Sequence, residues 1–226
     1  MPAPHILLIN PNSSAATSRM MREIAQRAAG PRLTVVEATA RRSPSMIVTA
    51  AELEAAGPEV VEIGTAYAAA HPGCVGIIVA AFGDPGLEAL KAAVPVPVVG
   101  ICEASMRAAG QGGRRFAVAT VTPDLVASIA AAAARLGLAA QFAGTRISQG
   151  EPRALAQAPE QLVAALADLV RACIAQDGAQ AVIIGGGPLG EAAETLQPQF
   201  TVPVLAPIRC AVDLLQARIA APVEPL

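Results

Sequence analysis

The sequence predicts an α/β protein of two pseudo-symmetric lobes, each a mostly parallel sheet flanked by helices, with a cleft between the lobes. Short apolar runs rich in β-branched residues alternate with longer alanine-rich segments of helical period along the chain. This alternation is typical of strand–helix units around a parallel sheet. The second part of the chain also repeats the pattern of the first, which indicates two similar halves.

Eight segments have the composition of buried strands, because their apolar residues are continuous and are bounded by turn-forming residues. We expect these strands at about residues 5–9, 33–38, 75–81, 97–101, 115–121, 140–147, 180–185 and 203–206. A chain of 226 residues is long enough to bury them in a sizeable core.

Two helices of the first half are indicated by residues that favour helix ends. Ser13 or Ser14 begins a helix that closes at Gly30, because a hydroxyl side chain caps a helix start and glycine suits its end. Thr49 and Glu52 have the spacing of a capping box, which predicts a short helix after them.

Further helix starts are predicted at the Asp-Pro pair of residues 84–85 and the Thr-Pro pair of residues 122–123. Each pair combines an N-cap residue with proline at the first helical position. The longest helix is expected from about Pro159 to Asp177, with Gly178 at its end.

The repeat is clearest in two long stretches. The one from Gly76, GIIVAAFGDPGLEALKAAVPVPVVGI, resembles the one from Val182, VIIGGGPLGEAAETLQPQFTVPVLAPI. Each has an apolar strand, a turn of small residues, a helix and a Pro-Val strand. We assign residues 1–98 and 208–226 to lobe 1 and residues 99–207 to lobe 2. Open α/β sheets bind ligands beyond the carboxyl ends of their strands, so the cleft is the expected site.

Charge and composition exclude several classes of function. The 16 Lys and Arg against 18 Asp and Glu give a net charge of −2 without a basic stripe, so no nucleic-acid partner is expected. No apolar run approaches the ~20 residues that span a bilayer, and the N-terminus lacks the pattern of a signal peptide. We therefore expect a cytoplasmic protein with no membrane partner.

The cysteines and histidines do not predict a metal site. The four cysteines form no CxxC pair, which suits reduced thiols, and only two histidines are present. The cysteines are Cys74, Cys102, Cys173 and Cys210. His71 precedes its strand and is expected in a surface loop, at the end away from the cleft.

Four strand-to-helix turns are expected to face the cleft, at residues 10–13, 81–85, 120–123 and 185–188. Their free backbone N–H groups would favour an anionic or carbonyl-rich small ligand. Ser13, Asp84 and Thr122 could instead be ordinary helix caps, which occur at such turns whether or not a ligand binds there. Asn10 and Asn12 are better candidates for ligand contacts, because an amide side chain both donates and accepts hydrogen bonds.

The glycine run at residues 185–190 formally matches the GxGxxG fingerprint of dinucleotide-binding proteins. The acidic residue expected ~20 positions later is absent, because that region reads PIRCAV. The sequence also lacks a Walker A lysine. We therefore expect no nucleotide cofactor.

Five motifs resemble those of the aspartate/glutamate and hydantoin racemase superfamily. They are INPNSS at 9–14, AAFGDPGL at 80–87, PVVGICEA at 97–104, RRFAVATV at 114–121 and DGAQAVIIGGGPLG at 177–190. They occur in order along nearly the whole chain and look most similar to the hydantoin and allantoin racemase branch. The resemblance implies two α/β lobes, no cofactor, a small-molecule site between the lobes and assembly as a homo-oligomer.

The resemblance also implies two catalytic cysteines, one removing the substrate α-proton and the other protonating the opposite face. The first of these positions is Ala81 in this sequence, and the second is Gly186. Neither side chain transfers a proton, so the two-thiol mechanism does not carry over. The paired change indicates altered chemistry or an engineered, inactivated racemase. The related arylmalonate decarboxylases keep one cysteine, which this chain also lacks.

Three residues near the predicted cleft could replace the missing thiols: Asp84, Glu103 and Cys102. A desolvated carboxylate can act as a base near neutral pH, whereas Cys102 could equally be a buried, inert thiol. Substrate contacts are expected from the turns that face the cleft. The candidates are Asn10, Asn12, Ser13, Ala81, Phe82, Gly83, Thr120, Thr122, Gly186, Gly187 and Pro188.

Two functions remain open. The first is a cofactor-independent enzyme acting on a small hydantoin, ureide or amino-acid-like carboxylate, by hydrolysis, lysis or one-base isomerisation, with backbone N–H groups stabilising negative charge. The second is a non-catalytic relative that binds such a ligand without converting it. A carboxylate pointing into the cleft would distinguish the enzyme from the binding protein.

Overall fold

The computed structural model describes residues 3–221, apart from the side chain of residue 156. It contains two parallel four-stranded sheets. The first has the order β2-β1-β3-β4 and consists of β1 (His5–Asn10), β2 (Thr34–Thr39), β3 (Cys74–Val79) and β4 (Val98–Gly100). The second has the order β6-β5-β7-β8 and consists of β5 (Phe116–Thr120), β6 (Phe142–Ile147), β7 (Ala181–Ile184) and β8 (Val204–Leu205).

Helices flank both sheets, and the matching strand orders confirm the predicted α/β fold. In the first half they are α1 (Ala15–Ala29), α2 (Ala50–Ala70), α3 (Leu87–Ala93) and α4 (Ile101–Gly110). In the second half they are α5 (Val126–Arg135), α6 (Pro152–Ala156), α7 (Pro159–Ala175), α8 (Gly190–Leu196) and α9 (Pro207–Ala220). Short 3-10 turns occur at 111–113, 123–125, 187–189 and 197–199. No helix within residues 3–221 is long and apolar enough to cross a membrane.

The two halves share a core. One large apolar cluster takes Met21 and Ile24 from the first half, Phe116 and Ile183 from the second, and Ile208 from α9. The final helix packs against α1, α4 and β3. The lobe boundaries at residues 98 and 207 stay a prediction, and residues 222–226 of the predicted lobe 1 lie outside the described residues.

Helix α2 is longer than the short helix that its capping box predicts. The box itself is confirmed, because Glu52 N–H donates to Thr49 Oγ1 and Glu52 Oε2 accepts from Thr49 N–H. The helix then continues through Pro58 for 21 residues, which makes it longer than α7. Its apolar side, including Leu53 and Val60, is buried, so tertiary packing overrides the helix-breaking tendency of the proline.

Two other helix ends agree with their sequence signals. Ser14 caps α1 by accepting a hydrogen bond from Thr17 N–H, and Gly30 ends that helix at φ 72°. Gly178 lies at φ 66° just beyond α7, where Ala179 N–H donates to a carbonyl of the last turn. Glycine adopts this left-handed conformation without strain, which explains both ends.

The Asp-Pro and Thr-Pro pairs do not cap the helices that follow them. Helix α3 begins only at Leu87, and Asp84 has φ 55°. Its two carboxylate oxygens instead accept hydrogen bonds from Cys102 N–H at 2.9 Å and Glu103 N–H at 2.6 Å, at the start of α4. The hydroxyl of Thr122 likewise makes no capping bond to the turn after it. Asp84 therefore caps a helix that begins 17 residues later in the chain.

This long-range cap depends on a glycine at the end of β4. A Cβ atom on Gly100 would lie 2.1 Å from the carboxyl carbon of Asp84, so only glycine leaves room for the side chain. Burial raises the pKa of Asp84 to about 7, although the N–H bonds from Cys102 and Glu103 oppose this shift.

Glu103 is buried at the centre of an ion-pair cluster. Its carboxylate accepts hydrogen bonds from Lys91 at 2.9 Å, Arg107 at 3.1 Å and Arg218 at 2.8 Å. Burial alone would raise the pKa of Glu103, but Lys91 and Arg218 more than offset it, so the pKa is lowered. The cluster connects α3, α4 and α9, which is a structural role for this carboxylate.

Two carboxylates of α2 hold the ends of the loop at residues 41–49. Glu59 accepts hydrogen bonds from the N–H groups of Arg41 at 2.8 Å and Arg42 at 3.0 Å. Glu52 accepts from Val48 N–H at 2.8 Å, as well as from Thr49. Burial opposes ionisation of Glu59, but the two N–H bonds more than offset it, so the pKa of Glu59 is lowered. The loop is thus fixed to the helix at both ends.

We expect the variant Asp84→Asn to change how stability depends on pH. Because its pKa is about 7 in the folded protein and 3.8 ordinarily, the folded state holds this proton more tightly than the unfolded chain. Its contribution to stability therefore falls as pH rises from about 4 to 7. In urea unfolding, the free energy of unfolding of Asp84→Asn minus that of the parent should be larger at pH 8 than at pH 5, by at least about 1 kcal/mol.

The exposed Asp124, in the corresponding turn of the second half, provides the matched control. Asp124→Asn makes the same chemical change at an exposed carboxylate and gauges the effect of the substitution alone. A shift for Asp84→Asn that is equal at both pH values would contradict the raised pKa.

We expect Glu59→Gln to loosen the 41–49 loop, since an amide NH₂ group would face one of the two N–H donors. Amide hydrogen exchange of Arg41 and Arg42 should become faster, and stability at pH 7 should fall by about 1–2 kcal/mol. Because the pKa of Glu59 is lowered, this contribution is present at neutral pH and is lost as pH falls through the lowered value. Glu54→Gln, an exposed change on the same helix, should leave both measurements unaltered.

Candidate functional site

A cavity of about 430 Å³ lies between the two sheets, at the carboxyl ends of their strands. Both halves contribute to its wall, as the sequence predicts for the cleft. The lining residues are Asn12, Ser14, Thr17, Met20, Ser45, Met46, Ile47, Leu53, Ala80, Ala81, Phe82, Thr120, Val121, Thr122, Leu125, Pro152, Arg153, Gln157, Leu162, Gly185, Gly186, Gly187, Pro188 and Leu189.

Most of the residues predicted to contact substrate border this cavity. They are Asn12, Ala81, Phe82, Thr120, Thr122, Gly186, Gly187 and Pro188. Asn10, Ser13 and Gly83 belong to the same turns but are not in its wall. Whether any of them contacts a substrate stays a prediction.

The turn after β1 does not present free N–H groups, contrary to the prediction for all four turns. Asn12 N–H donates to Asn10 Oδ1, Ser13 N–H to Pro44 O and Ser14 N–H to Asn12 Oδ1. Asn10 is fully buried, and its Nδ2 donates to Asn12 Oδ1 at 2.8 Å and to Ser18 Oγ at 2.9 Å. The two asparagines therefore complete the turn themselves, because their side chains replace backbone partners.

The turns after β3 and β7 differ in this respect. Within residues 3–221, the N–H groups of Ala81, Phe82, Gly186 and Gly187 have no protein acceptor in hydrogen-bonding range. All four residues line the cavity. Unpaired backbone donors at a cavity wall favour a ligand that carries carbonyl or carboxylate oxygens.

These two turns approach each other closely across the halves. A Cβ atom on Gly187 would lie 3.1 Å from the backbone oxygen of Ala80 and 2.6 Å from the sulfur of Met21. A Cβ atom on Gly185 would lie 3.4 Å from the ring of Phe82 across the halves and 2.8 Å from Val118 of its own sheet. Because side chains at 185 and 187 would collide with these neighbours, the glycine run serves close packing.

Hydroxyl groups also form part of the wall, next to the turn after β7. Thr120 Oγ1 donates to Gly185 O at 2.6 Å and lies 3.3 Å from Thr122 Oγ1. The hydrogen bond joins β5 to the turn after β7, so the Thr120 hydroxyl is held by the protein itself. The Thr122 hydroxyl remains available to a ligand.

None of the three predicted catalytic residues lines the cavity. The carboxylate of Asp84 is hydrogen-bonded to the start of α4. The carboxylate of Glu103 lies at the centre of the ion-pair cluster described above. Cys102 is fully buried, with its sulfur 3.9 Å from that of Met106, and burial raises the pKa of its thiol. A buried, neutral thiol is a poor base. Their catalytic role was predicted because they are close in sequence to the strand ends. In the structure, Asp84 and Glu103 make hydrogen bonds and ion pairs away from the cavity, and Cys102 is buried in the core.

The prediction of cavity residues from the turns that directly follow the strands missed residues that lie further along the chain from a strand end. Ser45, Met46 and Ile47 come from the loop after β2, while Arg153 and Gln157 come from the segment after β6. Both strands lie at sheet edges, but their carboxyl ends face the same way as those of the central strands. That common direction is the signal that would have pointed to these segments.

The cavity is poor in groups that transfer protons. Of its described lining residues, Arg153 alone carries an ionisable side chain, and most of the others are apolar or hydroxyl-bearing. No cysteine is among them. In the described part of the chain, no cluster of three or more His, Cys, Asp or Glu residues could hold a metal ion.

Comparison with known proteins gives a consistent assignment. A family model described as Asp/Glu/Hydantoin racemase matches residues 6–215. A hydantoin racemase of Rhizobium meliloti is 30% identical over 222 residues, which cover 96% of this chain and 89% of the relative. The allantoin racemase from Klebsiella pneumoniae superposes with a TM-score of 0.89 at 25% identity, covering 96% of this chain and 88% of that one.

The unliganded structure of arylmalonate decarboxylase shares the fold, with a TM-score of 0.66 at 19% identity over 98% of this chain and 94% of that one. The family model and the R. meliloti relative each span most of the chain, in agreement with the five sequence motifs. The chain therefore belongs to the Asp/Glu/hydantoin racemase family.

Proposed function

We propose that the cavity binds a small hydantoin, ureide or carboxylate, without a cofactor, and that the chain does not racemise it with a pair of thiols. The relatives named hydantoin racemase and allantoin racemase support this ligand class. The positions that the family resemblance assigns to the two thiols, Ala81 and Gly186, both line the cavity. The expected cytoplasmic location and homo-oligomeric assembly are part of this proposal.

The observation that carries the proposal is the lack of a side-chain base among the described lining residues. Hydrolysis and one-base isomerisation both require a base to activate water or remove a proton. Loss of carbon dioxide from a carboxylate attached to the α-carbon of a carbonyl group does not. We therefore propose lyase chemistry of this kind as the reaction that the cavity supports best.

In this reaction the bond between the α-carbon and the departing carboxylate breaks and carbon dioxide leaves. The electron pair of that bond passes to the neighbouring carbonyl, giving an enolate. The N–H groups of Ala81, Phe82, Gly186 and Gly187 would stabilise the negative oxygen, and water would supply the proton to the α-carbon. Apolar wall residues would favour departure of the charged carboxylate as neutral carbon dioxide.

The same observation also favours a second candidate, a protein that binds the ligand without converting it, because the described wall lacks the carboxylate that we expected in the cleft of an enzyme. Stabilisation of an enolate requires that the N–H groups match its oxygen better than they match the ground state. A cavity with donors but without that match would bind and not catalyse. The two candidates differ in turnover, not in affinity.

Proton NMR in D₂O tests the reaction with phenylmalonate, allantoin, 5-substituted hydantoins, aspartate and glutamate. We expect conversion of the malonate to the arylacetate at least about a hundredfold faster than in buffer, and no accelerated α-proton exchange on the hydantoins. Exchange without breakdown would contradict the base-free reaction. No turnover of any substrate, together with a rise in thermal stability on ligand addition, would favour the binding protein.

The paired variant Ala81→Cys with Gly186→Cys tests the family positions. We expect it to gain α-proton exchange on hydantoins, whereas each single variant gains far less, because the two thiols act as a unit. Gly186 has φ 149°, so Gly186→Cys should cost about 1–3 kcal/mol of stability, and Ala81→Cys less.

Thermal unfolding checks that the paired variant is folded, and the corresponding pair of serine substitutions is the control without thiols. Equal exchange in the two single cysteine variants would refute the two-face assignment of these positions.

A further inference from the structure

We propose that Arg153 makes the cavity selective for ligands that carry a carboxylate remote from the group bound at the strand-end turns. This inference rests on the proposed small-molecule site and narrows its ligand to an anion. It follows from the charge of the wall, the freedom of the guanidinium and the placement of α6.

The charge of the wall is positive. Arg153 is the single ionisable residue among those described in the lining, so no carboxylate in the wall offsets it. The unpaired N–H groups of Gly186, Gly187, Ala81 and Phe82 add partial positive charge to the same space. An apolar cavity in which all fixed charge has one sign favours a ligand of the opposite sign.

The guanidinium of Arg153 is available to a ligand. Within residues 3–221 it takes part in no ion pair or hydrogen bond, although the residue is exposed at the cavity wall. Glu52 is close enough for the charge of Arg153 to lower its pKa slightly, but its bonds to Val48 and Thr49 N–H contribute more to that shift. Glu52 is therefore committed to the loop. The charge of Arg153 also lowers the pKa of Glu151, but the N–H groups of Arg153 and Ala154 contribute more to that shift, so Glu151 is committed to the start of α6.

Short-range contacts fix the backbone that carries Arg153. The carboxylate of Glu151 accepts hydrogen bonds from the N–H groups of Arg153 at 3.0 Å and Ala154 at 2.8 Å, and so caps α6. Gln157 follows four residues after Arg153 and also lines the cavity. Gln157 is the residue at which α6 ends, so the same short segment brings a guanidinium and an amide to the cavity wall.

The pair of side chains suits a carboxylate. A guanidinium donates two parallel hydrogen bonds to the two oxygens of a carboxylate, and the Gln157 amide can donate one more. A ligand with its carbonyl at the turns and its carboxylate at Arg153 would use both sets of donors. A neutral hydantoin would leave the guanidinium unpaired.

The test compares hydantoin-5-acetate with its neutral amide, two ligands of the same shape, by isothermal titration calorimetry at pH 7. We expect the parent protein to bind the acetate about tenfold or more tightly than the amide. Arg153→Gln should abolish that preference, because it weakens acetate binding about tenfold more than amide binding. Arg153→Lys should retain part of it, because an ammonium keeps the charge but not the bidentate geometry.

Arg32→Gln is the matched control, since it removes the same charge from an exposed residue outside the cavity wall. It should keep the preference. Equal binding of acetate and amide by the parent, or a preference that survives in Arg153→Gln, would overturn the inference and leave the proposed site intact. If neither these two compounds nor any substrate of the NMR panel binds the parent, both the inference and the proposed function fail.

Discussion

The close contact between the turns after β3 and β7 is the constraint on which the site depends. A Cβ atom on Gly187 would lie 3.1 Å from the backbone oxygen of Ala80, and one on Gly185 would lie 3.4 Å from the ring of Phe82, so the two sheets meet at their carboxyl ends. A side chain at 187 would force Ala80 or Met21 of the opposing half to shift, and one at 185 would collide with Val118 of its own sheet. The close contact brings backbone donors from both sheets to one cavity, which explains why a doubled fold has a single shared site there.

The buried carboxylates of this chain are used to hold its backbone. Asp84 caps α4, Glu103 pairs with three cations, and Glu59 fixes the start of the 41–49 loop. N–H groups and positive side chains more than offset the burial of Glu59 and Glu103, whereas at Asp84 burial outweighs the two N–H bonds. The acidic groups closest in sequence to the strand ends do not line the cavity, and the polar groups of its wall are backbone N–H groups, hydroxyls, the amides of Asn12 and Gln157 and the guanidinium of Arg153.

Sequence reasoning predicted the fold well, because strand composition and the repeat are local or periodic signals. All eight strands occur where their apolar runs predicted, and the capping box at Thr49 is present. The role of Asp84 was not predictable, since its partner helix starts 17 residues away and a following proline is the usual sign of a local cap. Arg153 was missed for a related reason. It lies beyond the turn that directly follows β6, so the sequence does not show that it comes close to the cavity.

The scarcity of ionisable groups in the cavity has a consequence for how binding would respond to pH. Arginine stays protonated throughout the range in which proteins are folded, and threonine, serine and backbone groups do not titrate there. Among the described lining residues, nothing changes charge between acid and alkaline conditions. A pH dependence of ligand affinity would then report the ionisation of the ligand or of a group behind the wall, such as Asp84, which follows Phe82 in the same turn and has a pKa of about 7. A titration repeated with Asp84→Asn would separate the two and reveal the pKa of an unidentified ligand before its structure is known.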